Sequence, residues 1–451
     1  MFFSCKRLPS SSKPYKFRQA GQQELTKKDV LLLTMRNSLT ALSMALVLGS
    51  GLLVSGAPGH GQTSPELTKK VLQMERDREK EFEDYFGEDL ASVSKTADET
   101  AADLERLSAE TGTRSALLYV IPRKTHLHLV LIPPSGTPIV KDFYDVTDPQ
   151  LFAVARQFHK GILRMDSAQS QASGQQLYDW IIKPYEQELA AAEIDLLLFC
   201  LGDGVKDLAL PALSNDGTYL IETYAMARIP AFNLIETNYK PFKTGQLLAM
   251  GASQFQDPAI PVLPGTKQEL AALSTSLSQT NQGAWNVTRL ENQAFTQPRI
   301  NQNLGKQPFS ALHVSTHAQF LPGQVESSYI QLWNQKLTLN SLNAIDWDRS
   351  NADLIVLSAC QTALGDTDAA NGFAGLALKA GVPSAIGTLW SINDQSTTQL
   401  MKGFYSNLPD SRTKAQALQS AQVSAIRGSD GLTAVKAPYY WAGFSLISTP
   451  W

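Results

Sequence analysis

The chain has 451 residues, 43% of them hydrophobic, which is more than one average domain needs and enough for a large core. A net charge of −3 gives no basic field for nucleic acid. The three cysteines, Cys5, Cys200 and Cys360, exclude a disulfide framework and a four-thiolate zinc site. No phosphate loop of the G-x-x-x-x-G-K-S/T type occurs, and Gly202-Asp203-Gly204 is typical of a turn.

The first apolar stretch, residues 41–54, follows several basic residues and precedes a run of small ones. Fourteen residues are short for a membrane span but suit the core of a signal peptide. We therefore expect residues 1–61 to be an N-terminal extension and signal peptide, with Met35 as the more conventional start. Cleavage would export the protein to a periplasmic, lumenal or extracellular space. The alternative is an uncleaved segment that anchors the chain in a membrane.

Residues 62–112 form the next predicted unit, a helical segment. Apolar residues from Leu67 to Phe86 recur on one face of an amphipathic helix over 64–88, and a second helix is expected over 94–108. The opposite face of the first helix is densely charged, which is typical of a solvated surface. These helices are the candidate docking surface for a protein partner. No repeat of about 34 residues occurs, so a tetratricopeptide array is not expected.

After Gly112 the pattern changes to strands that alternate with helices. Strands 116–121 and 126–132 are expected to form a hairpin, in which His126 and His128 alternate with leucines and face solvent or a neighbouring strand. A metal site there would need a third ligand nearby, and no metal site is predicted.

The remaining predicted elements favour a mainly parallel sheet covered by helices on both faces. Cys200 lies within the apolar run 196–201 and is expected to be inert core. The predicted helices span 149–163, 175–190, 268–277, 371–380, 395–408 and 413–427, and the predicted strands span 194–201, 247–251, 311–316, 353–359, 383–389 and 441–447.

Two neighbouring predicted strands each run into a residue able to do chemistry, His317 after the first and Cys360 after the second. The carboxyl ends of parallel strands are where such side chains meet a ligand. A cysteine reacts as the thiolate and needs a proton acceptor, and imidazole titrates in the right range. The spacing of 360 − 317 = 43 residues is close to the caspase pattern of about 50. The backbone N–H groups of Cys360 and Ala318 are the candidate oxyanion donors.

Simpler interpretations compete for the same residues. Cys360 without His317 would be a small buried residue at a strand end. His313 is the more interior of the two histidines and is expected to be a hydrogen-bonded core residue. The His313–His317 spacing matches that of helical zinc peptidases, but the glutamate after the first histidine is missing and Val-Ser-Thr favours a strand.

These residues resemble the CHAT domain, a caspase-like cysteine peptidase fold related to separase. The resemblance covers roughly residues 95–451. Its specific pieces are His-x-x-Thr-His (313–317), Leu-Ser-Ala-Cys-Gln-Thr-Ala-Leu-Gly-Asp (357–366), Gly-Phe-Ala-Gly-Leu-Ala (372–377), the segments 381–386 and 388–394, and Pro-Tyr-Tyr-Trp-Ala-Gly-Phe (438–444).

The resemblance implies an α/β, caspase-like, mainly parallel sheet in two halves. Residues 113–300 would be a degenerate, non-catalytic half and residues 301–451 the catalytic half. His317 would be the general base and Cys360 the nucleophile of a cysteine endopeptidase that acts on polypeptides without a cofactor.

The resemblance also implies a specificity pocket beside the nucleophile. Ser358 would line this pocket, and an acid there, Asp394 first and Asp366 second, would select Arg or Lys before the cleaved bond. Asp394 is equally suited to cap the helix that follows it.

The chain departs from many relatives in several positions, which include Ala318 where glycine often follows the histidine. Two rival functions remain. One is a scaffold that keeps the fold and binds a partner through the N-terminal helices, in which Cys360 would be dispensable. The other is a redox-sensing thiol at Cys360.

Overall fold

The computed structural model describes residues 65–86, 94–279, 284–319, 327–358, 380–429 and 435–451. The predicted signal segment and residues 371–379 of the predicted helix 371–380 lie outside these ranges. The helices are α1 (Pro65–Phe86), α2 (Ala97–Thr111), α3 (Asp148–Leu163), α4 (Ser167–Ile181), α5 (Glu186–Ala191), α6 (Pro264–Gln279), α7 (Gln297–Leu304), α8 (Asp394–Asn407) and α9 (Lys414–Arg427).

The strands number sixteen in the described chain. They are β1 (Ser115–Arg123), β2 (His126–Ile132), β3 (Ile139–Phe143), β4 (Leu196–Leu201), β5 (Ser214–Asn215), β6 (Thr218–Tyr219), β7 (Ala225–Arg228), β8 (Gly245–Gly251), β9 (Trp285–Glu291), β10 (Ala311–Ser315), β11 (Ala318–Gln319), β12 (Tyr329–Gln331), β13 (Lys336–Thr338), β14 (Leu354–Ser358), β15 (Ser384–Thr388) and β16 (Phe444–Ser448).

Eleven of these strands form one sheet, in the order β3-β2-β1-β4-β7-β16-β15-β14-β10-β8-β9. The pairs β3–β2, β2–β1 and β16–β15 are antiparallel, and the other neighbours are parallel. The predicted α/β class with a mainly parallel sheet is confirmed. The strands β8 and β9 precede residue 300 in sequence, and β8 pairs with β10 while β9 pairs with β8.

The central strands are buried on both faces, as continuous apolar runs predict. Alternate residues of β10 pack into two separate cores, Ala311 into one and Leu312 into the other. The first core includes Leu273 of α6 and the second includes Ile300 of α7. Helices therefore cover both faces of the sheet, and polar residues lie at the carboxyl ends of its central strands.

Several predicted boundaries were wrong, and local chemistry explains them. The second helix begins at Ala97 rather than residue 94, because Thr96 and Glu99 form a capping box. The single helix predicted over 175–190 is two helices, α4 and α5, because Pro184 interrupts the backbone hydrogen bonding between them.

The helix α1 packs on the sheet through apolar residues such as Val71 and through the buried carboxylate of Glu75, which is 1% exposed. It accepts a hydrogen bond from the Tyr119 hydroxyl of β1 at 2.6 Å. It also accepts from the backbone N–H of Phe232 at 3.0 Å and from the backbone and side-chain N–H groups of Asn233, both at 2.9 Å. Four donors on one carboxylate satisfy its hydrogen-bonding capacity in a dry environment.

Cys200 is 2% exposed within β4, and its thiol donates to the carbonyl of Pro230. Burial, with a smaller contribution from the nearby Glu75 carboxylate, raises the pKa of this thiol well above its usual range. Cys200 is therefore inert core, as expected from the sequence.

Lys414, the first residue of α9, carries a buried ammonium that donates to the carbonyl of Trp451 and lies 4.9 Å from the centre of the Phe242 ring. Burial lowers its pKa from 10.5 to about 8. Between about pH 8 and pH 10.5 the Lys414 amine is protonated in the unfolded chain and neutral in the folded one. The free energy of unfolding should therefore rise with pH in this window.

We expect Lys414→Met to remove a rise on the order of 1–2 kcal/mol between pH 7.5 and 9.5, measured by urea unfolding. The matched control is Lys402→Met, which changes an exposed lysine of α8 and should keep the rise. An equal rise of the unfolding free energy with pH in wild type and in Lys414→Met would show that Lys414 is not its source.

No helix within the described ranges combines the length and the apolar character that crossing a membrane requires.

Candidate active site

The site is built where β10 and β14 end side by side. These strands are parallel, and Ser315 is paired with Ser358 at their carboxyl ends. His317 follows two residues after Ser315. Parallel strands place the residues that follow them at the same end of the sheet.

The imidazole of His317 is half-buried and held in one orientation. Its Nε2 lies 2.8 Å from the carbonyl oxygen of Pro261, and its ring packs 5.3 Å from that of Phe255, measured between centres. Because a carbonyl only accepts, the neutral ring carries its proton on Nε2 and keeps a lone pair on Nδ1. Nδ1 is therefore the atom that can take a proton from a nucleophile.

Ala318 opens β11 and is opposite Ile330 of β12. The N–H of Gln331 donates to the carbonyl of His317 at 2.8 Å, which marks Ala318 and Ile330 as a non-hydrogen-bonded pair of the antiparallel ladder. In such a pair the N–H of Ala318 points away from β12. It is the expected oxyanion donor, and its direction is compatible with that role.

A pocket lies between the ends of β10, β14 and β15 and the first turns of α6 and α8. Two acids line it, Glu269 and Asp394, and its described lining contains no cationic side chain. Apolar groups come from Leu263 and Ile392. Hydroxyl groups make up most of the rest, from Thr266, Ser315, Thr316, Ser358, Thr388 and Thr397.

Asp394 is in the pocket wall and does not cap α8. The cap is Asn393, whose side chain accepts from the N–H of Ser396 at 2.8 Å. The capping interpretation of Asp394 was therefore wrong. The carboxylate of Asp394 instead accepts from the N–H of Gly265 at 3.1 Å, and a Cβ at Gly265 would lie 2.3 Å from that of Asp394. Glycine at 265 makes this close approach possible.

Glu269 is 3% exposed and lies at the buried end of the pocket. Its carboxylate accepts from the Ser315 hydroxyl at 2.7 Å and lies 3.2 Å from Nε2 of His313, without the alignment of a hydrogen bond. The other nitrogen of His313 is 3.3 Å from the hydroxyl of Tyr405. His313 is thus a partnered core residue, as expected, and it places an imidazole beside the buried acid.

The structure brings two predicted site residues, Ser358 and Asp394, into one pocket and leaves two others outside the described ranges. The Ser358 hydroxyl has no hydrogen-bond partner among the described residues. Cys360 and Asp366 lie outside the described residues. Glu269 was missed by the sequence analysis. The sequence marks Glu269 only weakly, because it is a single acid on a helix whose buried face continues with Leu270, Leu273 and Leu277.

The model of one protein family, the CHAT domain, matches residues 171–449, more than half of the chain. The chain belongs to the CHAT domain family. The match begins later than residue 95, where the resemblance was expected to start. No curated protein sequence matches this CHAT protein.

Among solved structures, this CHAT protein is similar to the Arg-specific cysteine proteinase gingipain R, with a TM-score of 0.43 and 12% identity over 75% of this chain and 78% of that one. The complex of pro- and mature domains of the Porphyromonas gingivalis proteinase gives a TM-score of 0.40 and 12% identity, with the same coverage of 75% and 78%. Separase of Saccharomyces cerevisiae, in complex with securin, gives 0.42 and 9% identity over 78% of this chain. The CHAT protein spans 31% of that separase chain.

Proposed function

We propose that this protein is a caspase-like cysteine endopeptidase, with Cys360 as nucleophile and His317 as general base. The observation that carries the proposal is the pairing of Ser315 with Ser358 at the ends of two parallel strands. His317 and Cys360 each follow this pair by two residues in the sequence. Because the two residues follow paired positions of parallel strands by the same number of residues, we expect their side chains to meet at the carboxyl end of the sheet.

The fixed tautomer of His317 supports the chemistry. In the proposed reaction Nδ1 takes the thiol proton of Cys360, and the thiolate attacks the carbonyl carbon of the peptide bond. The N–H groups of Ala318 and Cys360 stabilise the oxyanion. The C–N bond then breaks, and the leaving amine takes the proton from His317. Water next gives a proton to the same ring as its oxygen attacks the thioester carbonyl carbon, the C–S bond breaks, and the ring returns that proton to the sulfur of Cys360.

We infer further that the pocket receives a basic side chain of a polypeptide substrate. Its two carboxylates, the absence of a described cation in its lining and the Ser358 hydroxyl, which has no partner among the described residues, support this preference. Asp394 is the acid that remains accessible, since Glu269 is buried and already bonded to Ser315. A guanidinium or ammonium group at Asp394 would gain a charge-assisted hydrogen bond.

The wider proposal places the protein outside the cytoplasm after removal of residues 1–61, with an uncleaved membrane anchor as the alternative. The N-terminal helices are the proposed contact surface for a protein partner. The exposed, charged side of α1, with Glu66 and Lys70 paired at 3.0 Å, is compatible with such a surface.

The pH dependence of alkylation by iodoacetamide tests the dyad directly, in a Cys5→Ser background. Folded Cys200 is buried, so Cys360 is the thiol expected to react. We expect half-maximal reactivity well below the value of about 8.5 for a free thiol, and a rate at pH 7 that falls about tenfold in His317→Ala.

The matched control is His159→Gln, which changes a histidine whose ring lies 5.8 Å from that of Trp390. It should keep the wild-type profile. Half-maximal alkylation at the pH of a free thiol, unchanged in His317→Ala, would contradict the dyad and favour the scaffold function. Reversible loss of the thiol with mild oxidant, without hydrolysis in either state, would favour redox sensing.

A further inference from the structure

The free edge of the sheet carries a cluster of metal-ligating side chains that the proposed peptidase chemistry does not use. His126 and His128 belong to β2 and, two residues apart, point to the same face. Asp142 belongs to the edge strand β3, directly opposite His128 in the antiparallel register. The sequence analysis required a third ligand for this histidine pair, and the strand pairing supplies one.

The three side chains already converge. Asp142 Oδ1 lies 2.6 Å from Nδ1 of His128 and 3.5 Å from Nε2 of His126. One donor atom from each residue lies within 4.8 Å of the others. Ligand atoms on a tetrahedral zinc ion, with bonds of about 2.0–2.2 Å, are about 3.3–3.5 Å apart. Small side-chain rotations therefore suffice to form the site.

Neighbouring groups hold the ligands in place. The hydroxyl of Thr125 lies 3.0 Å from Nδ1 of His126, which leaves Nε2 of that ring as the ligand atom. The ring of Tyr144 packs against the same imidazole at 4.9 Å between centres. Lys141, the sequence neighbour of Asp142, is paired with Glu188 at 2.6 Å, so its charge is engaged elsewhere.

We propose that His126, His128 and Asp142 bind one divalent transition-metal ion of the zinc class. Two imidazoles and one carboxylate suit Zn²⁺, Co²⁺ or Ni²⁺ and disfavour Mg²⁺ and Ca²⁺, which prefer oxygen ligands. On binding, the ion takes the place of the proton between His128 and Asp142, and the neutral His128 ring then carries its proton on Nε2. A fourth coordination position stays open for water.

The ion would join β3 to β2 at the edge of the sheet, where β2 is the one neighbour of β3 among the described strands. An edge strand has an unpaired side, and a metal link between the two outermost strands would hold it in register. The site is far along the strand order from β10 and β14, so the proposal does not depend on the peptidase function.

Titration of the tag-free full chain with Co²⁺ tests the proposal, because a four-coordinate Co²⁺ site with nitrogen ligands absorbs in the visible range. Calorimetry with Zn²⁺ gives the stoichiometry. We expect one ion per chain with a dissociation constant in the micromolar range or tighter, and no competition from millimolar Mg²⁺. His128→Asn and Asp142→Asn should each weaken binding at least tenfold.

Two controls leave the ligands intact. Asp145→Asn changes an exposed carboxylate just beyond β3, and His159→Gln changes a histidine of α3. Both should bind as wild type does. Should His128→Asn fail to fold, His126→Gln tests the same site. The absence of saturable binding below 1 mM, or equal affinity in wild type and Asp142→Asn, would overturn the proposal.

Discussion

Replacing Asp394 with asparagine should lower kcat/KM about 100-fold for a peptide cleaved after arginine and leave a peptide cleaved after leucine within about threefold. The loss of one partner from a desolvated ion pair costs about 2–5 kcal/mol, and each 1.36 kcal/mol is a factor of ten. The asparagine side chain keeps an oxygen that can accept from the N–H of Gly265, so the pocket wall should hold its shape. The measurement is steady-state hydrolysis of matched fluorogenic peptides.

The matched control for Asp394 is Asp410→Asn, which removes an exposed acid just beyond α8. Its selectivity should equal that of wild type. Glu269→Gln separates the roles of the two pocket acids, because Glu269 is buried against Ser315 and His313. Unchanged arginine preference in Asp394→Asn, together with its loss in Glu269→Gln, would transfer the role to the buried acid. Arginine preference that survives both changes would contradict a pocket-based preference.

Replacing Glu75 with alanine should lower the free energy of unfolding by about 3–5 kcal/mol or detach α1 from the sheet. The change leaves the Tyr119 hydroxyl and the N–H groups of Phe232 and Asn233 without their acceptor, and each unsatisfied buried donor costs about 1–3 kcal/mol. Urea unfolding followed by fluorescence measures the global loss. Hydrogen exchange across residues 65–86 measures detachment of α1.

Glu66→Ala is the control for Glu75, since Glu66 is an exposed acid of the same helix, paired with Lys70 on the surface. Exposed pairs of this kind contribute little, so no measurable change is expected. Wild-type stability and wild-type exchange in Glu75→Ala would show that α1 is held by its apolar contacts, such as Val71 and Met74, and not by the carboxylate.

Much of the central sheet could be predicted from the sequence because its strands are buried on both faces. The apolar runs at 196–201 and 354–358 carry a continuous signal, and the structure places both as strands. The position of His317 just beyond β10 follows from the same pattern. The family was also predictable and is confirmed, because its motifs occur in the right order.

Features that depend on long-range pairing could not be predicted in this way. The strand β3 has the sequence Ile-Val-Lys-Asp-Phe, with no buried residue, and an edge strand of this kind has too weak a pattern to be recognised. Asp142 was therefore not available as a ligand for His126 and His128. Glu269 enters the candidate site from a helix 46 residues before Ser315, and only the fold brings them together.

The strand β16, which is the furthest along the described chain, lies in the middle of the sheet between β7 and β15. Among the described residues, the five strands on one side and the five on the other are joined by backbone ladders only through β16. During synthesis, the two halves of the sheet therefore cannot be joined through β16 until residues 444–448 leave the ribosome. A truncated chain would keep both edges open to strand exchange, so the site at the end of β10 and β14 is assembled within a continuous sheet only late in folding.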